Sequence, residues 1–315
     1  MKYYLGIDIG GTNIKTGVLS SRHKLVCKNS FPTRSAAGEQ AIVDDIIAEC
    51  ERVFASYKIE CIGVGCPGDK DDANVSIVEA GNLPFRGLPI VDILSQKFGV
   101  EVYLENDGSC ALIADWIVGA GKGCADMIEI TVGTGIGGGC VVNGDLMRGV
   151  TNDAGELGHF VIDPRGEKCP CGQKGCFEKF ASATALIKMT RAAAQKYPSS
   201  LLAKECEKGV DGRTVFNAYA AGCPVARGVL KKFAKNLATG INGLDYIFAP
   251  EFISLAGGIM NQGDVVLKFL RPYLIHPEKV GVTALHGDAG VIGAALLWKF
   301  RKYYLAIRKQ YGTSK

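Results

Sequence analysis

The stretch "YYLGIDIGGTNIKTGVLS" (residues 3–20) runs an apolar segment into a glycine turn carrying a threonine, then into a second apolar segment. The same plan returns in "DMIEITVGTGIGGGCVVNG" (residues 126–144). Two apolar runs of strand length joined by a tight turn are a hairpin signal. Two copies of one supersecondary unit point to a duplicated architecture with two facing lobes. Size agrees, because 315 residues exceed what a single hydrophobic core usually holds.

Working outward from the first copy, residues 3–9, 14–20 and 24–31 read as three short strands of a meander. Residues 38–57 place Ile42, Ile46, Ile47, Cys50 and Phe54 at helical spacing. "IECIGVG" (residues 59–65) is a buried strand, and "VEVYLEND" (residues 100–107) is another ending in a polar tip, before a helix over 109–118. In the second half, helices are expected over 181–197 and 225–246, with a strand in "EFISLAGGI" (residues 251–259) running into a double glycine. Residues 287–300 form a mostly apolar helix that must be buried. These patterns set expected boundaries at 1–115 for a small α/β lobe and 116–287 for a large one. Residues 288–315 then form a C-terminal helix packing back on the small lobe.

Composition narrows the classes of function. Hydrophobic content of 47% with 22% charged residues fits a globular enzyme. The formal charge of +4 is modest and no Lys/Arg block stands out, which argues against nucleic acid as a partner. No apolar run has the length of a membrane span. "MKYYLGIDIGG" lacks a signal peptide's apolar core and cleavage site, so a cytoplasmic location is expected. Twelve cysteines are then reduced thiols or metal ligands. Cys27, Cys50, Cys61, Cys110 and Cys140 stand singly in apolar surroundings and read as small core residues.

"GVGCPG" (residues 63–68) and "GTGIGG" (residues 133–138) both match the loose dinucleotide pattern, but neither leads into the helix that a pyrophosphate needs. No P-loop motif occurs. The alternative is a pair of hairpin turns, around Thr12 and Thr134, whose backbone N–H groups and hydroxyls converge on phosphate. Asp8, a carboxylate inside an apolar strand, needs compensation for its desolvation, and Mg²⁺ held through water would supply it. His159, Cys169, Cys171 and Cys176 supply one imidazole and three thiolates, a closed set suited to structural zinc.

"GELGH" followed by "CPCGQKGCFE" resembles the signature of the ROK family (repressors, open reading frames and sugar kinases). So, in order, do "DIGGTNIKTGV", "GVGCPG", "GNL", "END", "TVGTGIGGG" and "LAGGI". The resemblance implies a two-lobed actin-like ATPase (ribonuclease H-like) α/β fold with a zinc knuckle and a sugar held in the cleft between the lobes. It implies that Glu156, His159 and Glu178 contact sugar hydroxyls, the histidine also ligating zinc. Gly65, Pro67, Asn82 and Asn106 would line the rest of the sugar wall. ATP would lie against Asp8, Gly10, Gly11, Thr12, Asn13 and Lys15, against Gly133, Thr134 and Gly135, and against Gly257 and Gly258. Asp107 stands where a strand meets a helix, a place for a helix cap as much as for a base. The match to the family's "ND" pair favours the base.

The activity implied is an ATP-dependent hexose kinase acting on the 6-hydroxyl, with D-glucose expected and N-acetylmannosamine or N-acetylglucosamine as alternatives. The family's commonly dimeric or tetrameric state is carried over with it. A sugar-sensing regulator is the remote alternative. It would need a helix-turn-helix ahead of the first phosphate strand, and Met1 stands only a few residues before that strand. Phe85, Gly108 and Ser109 depart from the family pattern, where tryptophan, alanine and asparagine are frequent.

Overall fold

The computed structural model describes residues 1–81, 83–150 and 154–311, so Asn82 lies outside the described residues. The chain divides into two compact units, Met1–Gly119 with Gly287–Lys315, and Ala120–His286. The first begins with the expected meander of β1 (Tyr3–Ile9), β2 (Asn13–Ser20) and β3 (Leu25–Pro32), then α1 (Glu39–Ser56) and β4 (Ile59–Cys66). β5 (Asp69–Lys70), β6 (Ile77–Glu79) and β7 (Arg86–Leu88) make a small separate sheet. α2 (Ile90–Phe98), β8 (Glu101–Asn106) and α3 (Asp107–Val118) follow. The main sheet has the order β3-β2-β1-β4-β8, antiparallel through the meander and parallel from β1 to β8. Parallel strands of this kind are usually covered on both faces, which is why β1 and β4 read as largely apolar runs.

One acid on α1 is turned inward. Glu49 accepts hydrogen bonds from Thr16 Oγ1 at 2.8 Å, Asn29 Nδ2 at 3.0 Å and the Arg52 guanidinium at 2.7 and 2.8 Å. It thereby fastens the helix to β2 and β3. Cys27 departs from expectation, since it lies half-buried on the edge strand β3, whereas Cys50, Cys61, Cys110 and Cys140 are core residues.

The second unit repeats the plan. β9 (Met127–Val132), β10 (Ile136–Val142) and β11 (Asp145–Leu146) form a meander, and β12 (Phe252–Ala256) and β13 (Val280–Val282) extend it in parallel. Its order, β11-β10-β9-β12-β13, is that of the first sheet. The helix expected over 181–197 is α5 (Ala183–Lys196), preceded by the one-turn α4 (Glu178–Ala181). Ser182 between them is extended and its hydroxyl accepts from Ala185 N, capping α5. α6 (Leu201–Cys206) and α7 (Thr214–Ala220) precede the long α8 (Pro224–Phe248), and α9 (Gly263–Leu270) follows β12. α8 buries a stripe at Ala226, Val229, Leu230, Phe233, Leu237 and Ile241, the three-and-four spacing of an amphipathic helix. Among the described residues no helix is long and apolar enough to cross a membrane.

The chain ends in the first unit. The helix expected over 287–300 is α-helical only over α10 (Ala289–Leu296), tightens to a 3-10 turn at Leu297–Phe300, and resumes as α11 (Arg301–Tyr311). α10 packs on β1 and β4 at unusually short range. Gly6 and Gly63 face each other in register across these strands. A Cβ at Gly6 would overlap the Val291 carbonyl oxygen, and one at Gly63 that of Ala294. We expect Gly63→Ala to lose about 1–3 kcal/mol or more in urea unfolding. Gly228→Ala in α8, where a Cβ meets nothing within 4 Å, should gain roughly 0.5–1 kcal/mol. An unmoved midpoint for Gly63→Ala would refute the close approach.

Candidate active site

In the first unit the polar residues gather at the C-terminal ends of the parallel strands. Asp8 of β1 is in register with Gly65 of β4, which is in register with Glu105 of β8. Ligand-binding residues accumulate at this edge of a parallel sheet, where strand ends meet helix starts. Asp8 is half-buried and its carboxylate has no hydrogen-bond partner among the described residues. Burial raises its pKa and the Lys15 charge opposes that rise, while Asp107 adds to it. Lys15 itself donates to Gly287 O at 2.7 Å. A desolvated carboxylate without a protein donor suits an oxygen-seeking cation such as Mg²⁺.

The turn between β1 and β2 is closed from within by Gly10 N donating to Asn13 O at 3.1 Å, so the N–H groups left open are those of Gly11 and Thr12. Thr33 buttresses it, its hydroxyl donating to Gly10 O at 2.6 Å and its N–H to Thr12 O at 2.8 Å. At the β8–α3 junction the capping task falls to Asn106, whose Oδ1 accepts from Gly108 N at 2.9 Å and Ser109 N at 3.3 Å. That leaves only its amide NH₂ for a sugar hydroxyl. Asp107 opens α3 with one carboxylate oxygen accepting from Gly108 N at 2.9 Å. Burial raises its pKa, opposed by that bond and by the Lys70 charge.

In the second unit, Gly133 N donates to Gly135 O at 3.0 Å and closes the β9–β10 turn, leaving the N–H groups of Thr134 and Gly135 open. Thr184 supports this turn as Thr33 supports the first, its hydroxyl donating to Thr134 O at 2.7 Å. Gly257 and Gly258 follow β12, which runs beside β9. His159, Cys169, Cys171 and Cys176 converge, one ligand atom from each lying within 4.8 Å of all the others. Cys169 Sγ stands 3.5 Å from His159 Nδ1, and Cys171 Sγ stands 3.5 Å from Cys176 Sγ. A tetrahedral zinc with the usual bond lengths needs donor separations of roughly 3.5–3.8 Å, so the four residues fit that ion.

The same loop carries the expected sugar contacts. His159 Nε2 faces Glu156 Oε2 at 3.9 Å, and Cys169 Sγ lies 3.3 Å from Glu178 Oε1. Glu178 also adjoins the β9–β10 turn, since a Cβ on Gly135 would stand 2.7 Å from its Oε2. Glu156, His159, Glu178 and the turn thus occupy one neighbourhood. Thr33 and Thr184 escaped sequence reasoning because a threonine in a loop carries no local sign of what it will touch.

Residues 4–301 match the model of the ROK family. This chain belongs to the ROK family. A glucokinase from Thermotoga maritima is 33% identical over 309 residues, covering 94% of this chain and 97% of that one. Among solved structures, a ROK family glucokinase from Streptomyces griseus in complex with glucose and AMPPNP is 32% identical. It has a TM-score of 0.76 and covers 94% of this chain and 98% of that one. A ROK hexokinase from Thermus thermophilus is also 32% identical, with a TM-score of 0.78 over 95% of this chain and 99% of that one. The ROK assignment agrees with the duplicated sheets and with the Cys/His cluster.

The cluster makes a direct prediction. Metal analysis of freshly purified protein should find about one divalent ion per chain, as a closed four-ligand set implies. Cys176→Ser should lose it, while Cys206→Ser, outside the cluster, should keep it. Equal metal content in both variants would remove Cys176 from the ligand set.

Proposed function

We propose that this chain is an ATP-dependent glucose kinase that transfers the γ-phosphoryl group of ATP to the sugar's 6-hydroxyl. The observation that carries the reading is Asp107, a desolvated carboxylate that follows β8 at the C-terminal edge of the parallel sheet, the edge at which Asp8 of β1 also stands. Membership of a family whose similar structures include one holding glucose and an ATP analogue supports it. Phosphoryl transfer needs alignment, neutralisation of charge and a group to take the hydroxyl proton. Asp107 takes the proton of the 6-hydroxyl as that oxygen bonds to the γ-phosphorus and the bond to the bridging oxygen of ADP breaks. The open N–H groups of Gly11, Thr12, Thr134 and Gly135 bind phosphate oxygens. Asp8 would hold Mg²⁺ through water, and the ion supplies neutralisation of the phosphate charge when bound. The knuckle's own metal is zinc in this reading, held by His159, Cys169, Cys171 and Cys176. It fixes the loop on which Glu156, His159 and Glu178 orient the sugar hydroxyls, with Gly65, Pro67 and Asn106 along the remaining wall.

Two outcomes test this. ADP release should follow mixing with ATP, Mg²⁺ and glucose, and kcat/KM should rank glucose above mannose, allose, fructose and the N-acetyl sugars. An N-acetyl sugar leading by tenfold, about 1.4 kcal/mol of transition-state preference, would replace glucose as substrate. No ADP release with any sugar would end the kinase reading. Separately, Asp107→Ala should cost about 10²–10⁴ in kcat with little weakening of sugar binding. Because burial raises the Asp107 carboxyl and only its ionised form accepts a proton, wild-type activity should fall on acidification at a pH above the ordinary aspartate range. Near-normal turnover by Asp107→Ala would reduce the residue to a structural role.

A further inference from the structure

Glu105 and Lys70 form an ion pair that neither the sugar contacts nor the phosphate turns account for. The Lys70 Nζ to Glu105 Oε1 distance is 2.6 Å, and the two side chains are only 8% and 3% exposed. Removing one partner of such a pair strands a buried charge, and a well-packed apolar pair would often serve stability as well. Its placement is therefore informative. Glu105 is the residue before the Asn106–Asp107 junction, and the same Oε1 accepts Asn106 N at 3.0 Å. Its other oxygen accepts the Tyr304 hydroxyl at 2.9 Å from α11. The carboxylate is thus held from three directions, and it holds Lys70 in turn. Asp8, Glu105 and Asp107 crowd this sheet edge, while the thiols of Cys66 and Cys110 beside them are pushed up and stay neutral. Lys70 reaches the Asn106–Asp107 junction through Glu105, one oxygen of which takes both the ammonium and Asn106 N.

We propose that Lys70 is a positioning residue for the phosphoryl transfer, its ammonium fixing the Glu105 carboxylate that holds Asn106 N, so that the start of α3, and with it Asp107, stays aligned toward the reacting hydroxyl. This rests on the kinase reading above. A purely structural ion pair makes a different prediction, because neutralising both partners leaves no stranded charge. The test is a double-mutant cycle in the full chain. Lys70→Met should lower kcat by about 10²-fold, the cost of a misaligned reacting group, with the glucose KM little changed. Lys70→Arg, which keeps the charge, should recover most of the loss. The double variant Lys70→Met with Glu105→Gln should recover the thermal midpoint but remain slow. A double variant restored to near wild-type kcat, or a Lys70→Met as fast as wild type, would overturn the proposal while leaving the kinase reading intact. If Lys70→Met does not fold, the double variant and Lys70→Arg carry the same comparison. A wild type that phosphorylates no sugar would sink the kinase reading and this proposal with it.

Discussion

Backbone meets backbone where α10 crosses β1 and β4, and much of the first unit follows from that contact. The helix can lie so low only because Gly6 and Gly63 present no side chain, and Gly293 on the helix answers them, a Cβ there overlapping Cys110 O of α3. Interiors packed to this density transmit position with little slack. The first turn of α10 is consequently pressed against the polar edge of the sheet, where a Cβ on Gly290 would stand 2.6 Å from Asp8 Oδ2. Lys15 reaches the carbonyl of Gly287 just before the helix. The desolvation that raises Asp8 has its origin in this packing.

The second unit solves a different problem. The segment from Phe160 to Phe177 contains no named strand or α-helix and too few apolar side chains to order itself. Two anchors fix it. Phe160 and Phe177 pack at 5.4 Å between ring centroids, and Phe177 lies against Gly240 of α8, where no side chain stands in its way. Between them the Cys/His cluster substitutes an ion's coordination for a hydrophobic core. Thiols elsewhere are of another kind, since burial pushes Cys50, Cys61 and Cys140 up to about 12, leaving them protonated filler.

What could be read from the sequence was whatever repeats or is local. The strand–turn–strand echo gave two sheets of one order, and cysteine spacing gave the knuckle. Local pattern failed where pairing is distant or elements are short. β5, β6 and β7 have two or three residues each, too few to show an alternating pattern, and "DKDDANV" hides β5 under turn-forming polar residues. α4 was missed because it is a single turn of four residues, whereas α5 was legible and Ser182, a serine before a helical run, is its cap signal. The Asn106–Asp107 junction was visible as a motif, but which of the pair caps α3 depends on side-chain geometry. Lys70 and Tyr304 had no sequence signature at all, for Tyr304 lies 199 residues from the glutamate it touches, and Glu105 showed only as the first letter of "END".

The first unit is interrupted in sequence, and this has a bearing on synthesis. Residues 120–286 emerge from the ribosome between the strands of its sheet and the helices that cover it. At roughly 5–20 residues per second the nascent sheet waits on the order of 10–30 s with Gly6 and Gly63 uncovered. During that interval the apolar floor meant for α10 faces solvent, and Glu105 lacks the Tyr304 hydroxyl. The second unit is continuous and can close first. Translation thus finishes the second half of the molecule before the first.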